Sequence, residues 1–156
     1  MNKNKLKADA TKVSAGSRIA HAARLLTQRL AEAQQPLNLT PGQYKVLVEL
    51  WKTEGLTQRD LVKKMDIEQS TIGNTLNRME RDGLIERQPH PTDGRASLLC
   101  LTPRASELKE AAIAEADKIN RRVLAGFSTK ERTQLIEFMD RIVAALKNPL
   151  ENENSV

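Results

Sequence analysis

The residues with the most chemistry to offer lie in one stretch, Gln69 to Asp82. Ser70, Thr71, Asn74, Asn77, Arg78 and Arg81 bring it hydroxyls, amides and guanidiniums and no carboxylate. These groups suit nucleobase edges: an amide pairs with adenine, a guanidinium with guanine or a phosphate, and a hydroxyl with either. At about 100° per residue the six fall on one half of a helix. Ile72, Leu76 and Met79 lie within about 60° of one another on the other half and form a core stripe. Glu80 is expected nearer that apolar side. The alternative is an ordinary solvated face, which would mix in Glu and Lys; the lack of both at these positions favours readout of a duplex.

A second group follows the helix. In Asp93-Gly94-Arg95 the glycine permits a tight turn, and a guanidinium at its tip can enter the narrow minor groove, where the potential is most negative. Asp93 is placed to orient Arg95 through an ion pair. Asp-Gly by itself indicates only a turn; its meaning comes from following the proposed reading helix. Arg81 and Arg87 are expected nearer the sugar–phosphate backbone, and Arg95 in the minor groove.

The elements that must hold these residues can be read from periodicity and caps. Ile19, Ala22, Ala23, Leu26, Leu30 and Ala33 mark an amphipathic helix from about Ser14 to Ala33, stopped by Pro36. Thr40, Pro41 and Gln43 form a capped start, with Leu39 and Tyr44 as a hydrophobic staple. The helix they open buries Val46, Leu47, Leu50 and Trp51 and is expected to end at Gly55. Thr57 with Asp60 starts a short helix to about Met65. Asp66 to Glu68 then turn the chain into the reading helix, which Gly83 closes. Leu84–Gln88 and Ser97–Leu101 read as a hairpin around the turn-rich segment 89–96. Thr102-Pro103 restarts a helix of about twenty residues, and Ser128 with Glu131 opens a last one bearing Leu135, Ile136, Met139, Ile142, Val143 and Leu146.

The order is therefore mainly α with a small β-wing: a helix-turn-helix, a hairpin, and long flanking helices. In domain terms, residues 1–13 read as a disordered basic arm. Residues 14–147 read as a single domain, with a winged helix-turn-helix at about 40–102 and dimerisation helices at about 14–34 and 103–147. Residues 148–156 read as a disordered tail.

Composition narrows the function. The chain has 156 residues and a net charge of +5. Seven basic residues and two acidic ones fall within residues 1–34, so the excess charge does not sit on the reading helix. The single Cys100 excludes an internal disulfide framework and a cysteine-based zinc site. His21 and His90 stand far apart, and no phosphate-binding glycine loop or nucleophile elbow occurs. The expectation is a non-enzymatic cytoplasmic protein with no cofactor, no metal and no membrane span.

With those motifs in place, the stretch from Leu56 to Leu101 resembles the multiple-antibiotic-resistance regulator (MarR) family. TQRDLVKKMDIEQSTIGNTLNRMERDGLIER is followed by PTDGRASLLCLTPRA, with Leu76 to Arg87, Asp93 to Arg95 and Leu101-Thr102 matching the family pattern. The flanking helices extend the resemblance over about residues 14–147. Gly94 departs from it, replacing a second basic residue common at the wing tip, and Ala105 stands where a glycine often follows the Leu-Thr motif. The resemblance implies a homodimer joined through its terminal helices, with two reading helices in successive major grooves of double-stranded DNA and wing arginines in the flanking minor grooves. It further implies repression relieved by a small aromatic acid. The residues able to hydrogen-bond or stack with such an effector are His21, Arg24, Tyr44 and Trp51, whose plain alternatives are packing and surface charge. Peroxide-sensing members resemble one another in a reactive cysteine near the first helix, where this chain has none. Apart from the family, the broad apolar stripe of the last helix supports dimerisation, and a two-fold dimer needs an inverted repeat with half-sites about 10–10.5 bp apart. The competing reading is a non-catalytic winged-helix platform for another protein.

Overall fold

The computed structural model describes residues 14–147. The basic arm, 1–13, and the tail, 148–156, lie outside the described residues. The chain divides into two compact units, Met1–Ile119 and Asn120–Val156.

The first unit begins with α1, Ala15–Gln34, whose first turn is capped by Ser14 Oγ accepting from Ser17 N at 3.1 Å. A 3-10 turn, Gln35–Leu37, carries Pro36 and ends at Asn38 in the left-handed region. Helix α2, Pro41–Lys52, has both halves of the expected capping box: Thr40 Oγ1 accepts from Gln43 N and Gln43 Oε1 accepts from Thr40 N. It stops at Lys52 with Thr53 as cap, earlier than Gly55; that glycine instead takes φ 69° in the turn beyond. Next comes a strand absent from the sequence reading, β1, Leu56–Thr57. The same Thr57 caps α3, Gln58–Met65, with Asp60 completing a second capping box. Asp66, left-handed at φ 55°, makes the tight turn into α4, Gln69–Arg81. Gly83, at φ 67°, turns the chain out of α4, a conformation that would strain a residue with a Cβ.

The wing is built from β2, Ile85–Pro89, and β3, Ser97–Leu101, paired antiparallel with Ile85 opposite Leu101 and Pro89 opposite Ser97. β1 adds to the other edge of β3, Leu56 opposite Leu99, so the sheet order is β1-β3-β2. The long helix expected after Thr102 is divided at Leu108 into α5, Pro103–Glu107, and α6, Lys109–Leu124.

Leu47 and Leu50 of α2, Leu61 of α3, and Ile72, Leu76 and Met79 of α4 are fully buried with Leu84, Ile85 and Leu99. This is the apolar side expected for the reading helix. Each such side chain contributes about 1.5–3 kcal/mol of transfer free energy, so packing rather than propensity fixes α4 against the wing. Two buried glutamines tie elements of this unit together through their amide nitrogens, while Gln34 Oε1 has no hydrogen-bond partner among the described residues. Gln43 Nε2 donates to Asp82 Oδ2 at 2.8 Å, joining the start of α2 to the end of α4. Gln34 Nε2 donates to the Ala112 carbonyl at 2.9 Å, joining α1 to α6.

The second unit holds the end of α6 and α7, Thr129–Lys147. Ser128 and Glu131 form the expected box, with Glu131 Oε2 accepting from Ser128 N and Oγ.

Candidate nucleic-acid interface

Burial of Ile72, Leu76 and Met79 forces the other side of α4 outward. Ser70, Thr71, Asn74, Asn77, Arg78 and Arg81 are all exposed, as are Arg87, Asp93 and Arg95. The start of α4 has no side-chain cap, because Glu68 occupies that position without accepting a first-turn N–H. Those amides and the positive end of the helix dipole are therefore available to an anion. Gly73 lets α3 come close: a Cβ there would sit 3.2 Å from Gln58 Nε2, which donates to the Gln69 carbonyl at 3.3 Å.

Three details differ from the helical-wheel expectation. Asn77 does not present a free amide; its Oδ1 accepts from Arg87 Nη2 at 2.8 Å. Glu80, expected nearer the apolar side, is exposed and meets the wing, with Oε2 3.3 Å from Arg87 Nε. Arg87 is thus held by two residues of α4, which ties the wing strand β2 to the reading helix. In the wing, Asp93 does not form the expected ion pair with the Arg95 guanidinium; its Oδ1 accepts the Arg95 backbone N–H at 3.0 Å. Asp93 shapes the turn and leaves the guanidinium uncommitted.

A cleft of about 740 Å³ opens between α3 and the wing. Arg59, Asp60 and Lys63 line one wall, and Arg87, His90, Asp93 and Arg95 the other. Arg59, inside the Thr57–Asp60 capping box, and Lys63, one turn beyond, were not singled out from the sequence, because only the folded wing opposite makes them a wall. The cleft gathers cations that the chain's overall charge balance hides, and an ordered polyanion suits it. Asp60 sets one negative charge among them: hydrogen bonds from the Thr57 hydroxyl and amide hold its carboxyl below the usual range, so it stays ionised, and they occupy its Oδ2. At the far end of α4, Asp82 is likewise lowered, first by the Gln43 amide and then by Arg81, whose Nε lies 3.2 Å from Asp82 Oδ1.

The four residues singled out for an effector are divided. His21 opens on a depression along α1 with Ser17, Arg18, Ala22 and Leu25, and Arg24 is exposed on the same helix. Tyr44 and Trp51 meet edge to face with ring centroids 6.3 Å apart, and Trp51 Nε1 donates to the Ala105 carbonyl at 3.1 Å. Burial, followed by the nearby Asp117, pushes the Tyr44 phenol up. Tyr44 borders a different depression, with Lys64 and Met65. Cys100 is a half-buried free thiol in β3. No group of three or more metal-ligating side chains occurs among the described residues.

Comparison with known proteins gives consistent results. Residues 39–97 match the MarR family. An organic hydroperoxide resistance transcriptional regulator of Bacillus subtilis is 34% identical over 90 residues, which cover 58% of this chain and 61% of that regulator's own length. A probable transcriptional regulator from Pseudomonas aeruginosa is 32% identical, with a TM-score of 0.70 over 83% of this chain and 99% of that one. A MarR family transcriptional regulator from Listeria monocytogenes, crystallised with a 26mer DNA, is 25% identical and superposes with a TM-score of 0.80 over 85% of this chain and 89% of that one.

Proposed function

The chain belongs to the MarR family of transcriptional regulators, and we propose that it acts by reading double-stranded DNA with α4 and the wing. One observation carries this reading: Ser70, Thr71, Asn74 and Arg78 form an exposed, carboxylate-free face on a helix whose opposite side is locked into the core. The Listeria relative, whose structure holds DNA, has the same fold. In this reading Asn74 and its neighbours contact base edges, Arg81, Arg87, Arg59 and Lys63 contact phosphates, and Arg95 enters the minor groove.

The finer reading is a homodimeric repressor on an inverted-repeat operator. Its support is apolar surface on α7, where Ile136 is 57% and Leu146 79% exposed, more than a helix facing water ordinarily shows. Release by a small aromatic acid belongs to the same proposal, with His21 and Arg24 on α1 as the groups to meet its carboxylate.

Selection of bound fragments from a genomic library by the purified protein, repeated with phenolic acids present, tests the whole reading. The expected outcome is an enriched inverted repeat, bound with an affinity that falls by about 0.9 log unit per log unit of salt for each phosphate contacted, and released by an acid. Failure to enrich any sequence, or a salt response near zero, rejects DNA reading and favours a protein partner for the wing.

A further inference from the structure

The wing tip is organised by a residue to which the DNA reading gave no role. His90 follows β2 directly, and its Nδ1 accepts two backbone N–H groups, Asp93 N at 3.1 Å and Thr92 N at 3.3 Å. The His90 backbone N–H donates to the Ala96 carbonyl at 3.2 Å, and Ala96 N donates back to the Asp93 carbonyl at 3.0 Å. Asp93, fixed in this way, takes the Arg95 amide. A chain of contacts therefore runs from one imidazole nitrogen to the backbone of Arg95. The Thr92 hydroxyl lies against the same ring nitrogen at 3.4 Å, so the imidazole is the hub of the loop.

We propose that His90, through the ring nitrogen that fixes the turn, is the positioning residue that sets Arg95 for the minor groove. This inference rests on the DNA reading above. The charged groups sharing the cleft with the imidazole are Arg59, Asp60 and Lys63 of α3, Arg87 of β2, and Asp93 and Arg95 of the wing loop.

The test uses the full chain and the tightest duplex recovered by selection. His90→Ala weakens binding about 5- to 10-fold, as does Arg95→Ala, and the double variant is no weaker than Arg95→Ala alone. His90→Asn, whose side-chain oxygen can accept the amide two residues on, stays within about 2-fold of the natural chain. Additive losses in the double variant, an ineffective Arg95→Ala or His90→Ala, or failure of His90→Asn to rescue overturns the inference. If the natural chain selects no duplex, the DNA reading falls and this inference with it. If it selects one and only the His90 variants misbehave, the DNA reading stands alone.

Discussion

At the scale of single residues, exposed amides and guanidiniums on the same surface have different duties. Asn74 is exposed with nothing among the described residues holding its amide, whereas Asn77 is engaged by Arg87, which also pairs with Glu80. In the DNA reading this separates base choice from backbone grip. Asn74→Ala is expected to reduce discrimination at one base pair by about 1–3 kcal/mol while leaving binding to unrelated DNA unchanged. Arg87→Ala is expected to weaken binding to all sequences alike and to lower the salt slope by about 1. Binding-energy profiles over a panel of single-base operator variants distinguish the two; a uniform loss from Asn74→Ala would show that its amide reads no base. The Asn77–Arg87 bond also marks where reading by sequence stops. A helical wheel gives the direction of a side chain but not which distant strand meets it, and only folding brings β2 against α4.

Among the elements, short-range features were legible and long-range ones were not. The boxes at Thr40, Thr57 and Ser128 depend on residues three apart, and all three form. The buried stripes of α2 and α4 follow from the helical period. β1 was missed because its two residues pair with β3, more than forty positions away in the sequence, while Thr57 already had a local role as a cap. The break at Leu108 has no proline or glycine to announce it. The nine residues proposed to face DNA are all exposed, yet the α3 wall of the cleft went unread because it needs the wing opposite it. The caps also carry a pH dependence. Asp60, Asp82 and Glu131 are held below their ordinary values of 3.8, 3.8 and 4.5 by the Thr57, Gln43 and Ser128 groups that donate to them. Each contribution is fully present above the unfolded-state value and is lost as pH falls through the lower folded value. Thermal stability should therefore decline modestly below about pH 4.5, since water screens these carboxyls. Thr57→Ala, which removes the α3 cap, should cost about 1 kcal/mol near pH 7 and make that acid decline shallower. Melting curves between about pH 7 and pH 3 check both, and an unchanged acid decline in Thr57→Ala would deny the cap its part.

For the whole molecule, the decisive quantity is how many reading helices act at once. Ile136, Met139, Val143 and Leu146 recur at helical spacing on α7, and each is at least 42% exposed. Water contact along such a row is unfavourable by about 25 cal/mol for each Å² of apolar surface, so a second copy covering it would gain substantially. If the copies pair there, each operator is held by two linked modules. The second module then binds at an effective concentration near the millimolar range, which raises overall affinity by about 100- to 10,000-fold over one module. Val143→Glu should place a charge in that contact, shift sedimentation to the single-chain mass and reduce affinity for the full inverted repeat by at least about 100-fold. Affinity for a duplex carrying a single half-site should stay unchanged, because α4 and the wing are untouched. A variant that sediments as one chain and still binds the full repeat as tightly as the natural protein would mean that one copy supplies all the recognition, and the exposed row on α7 would then need another partner.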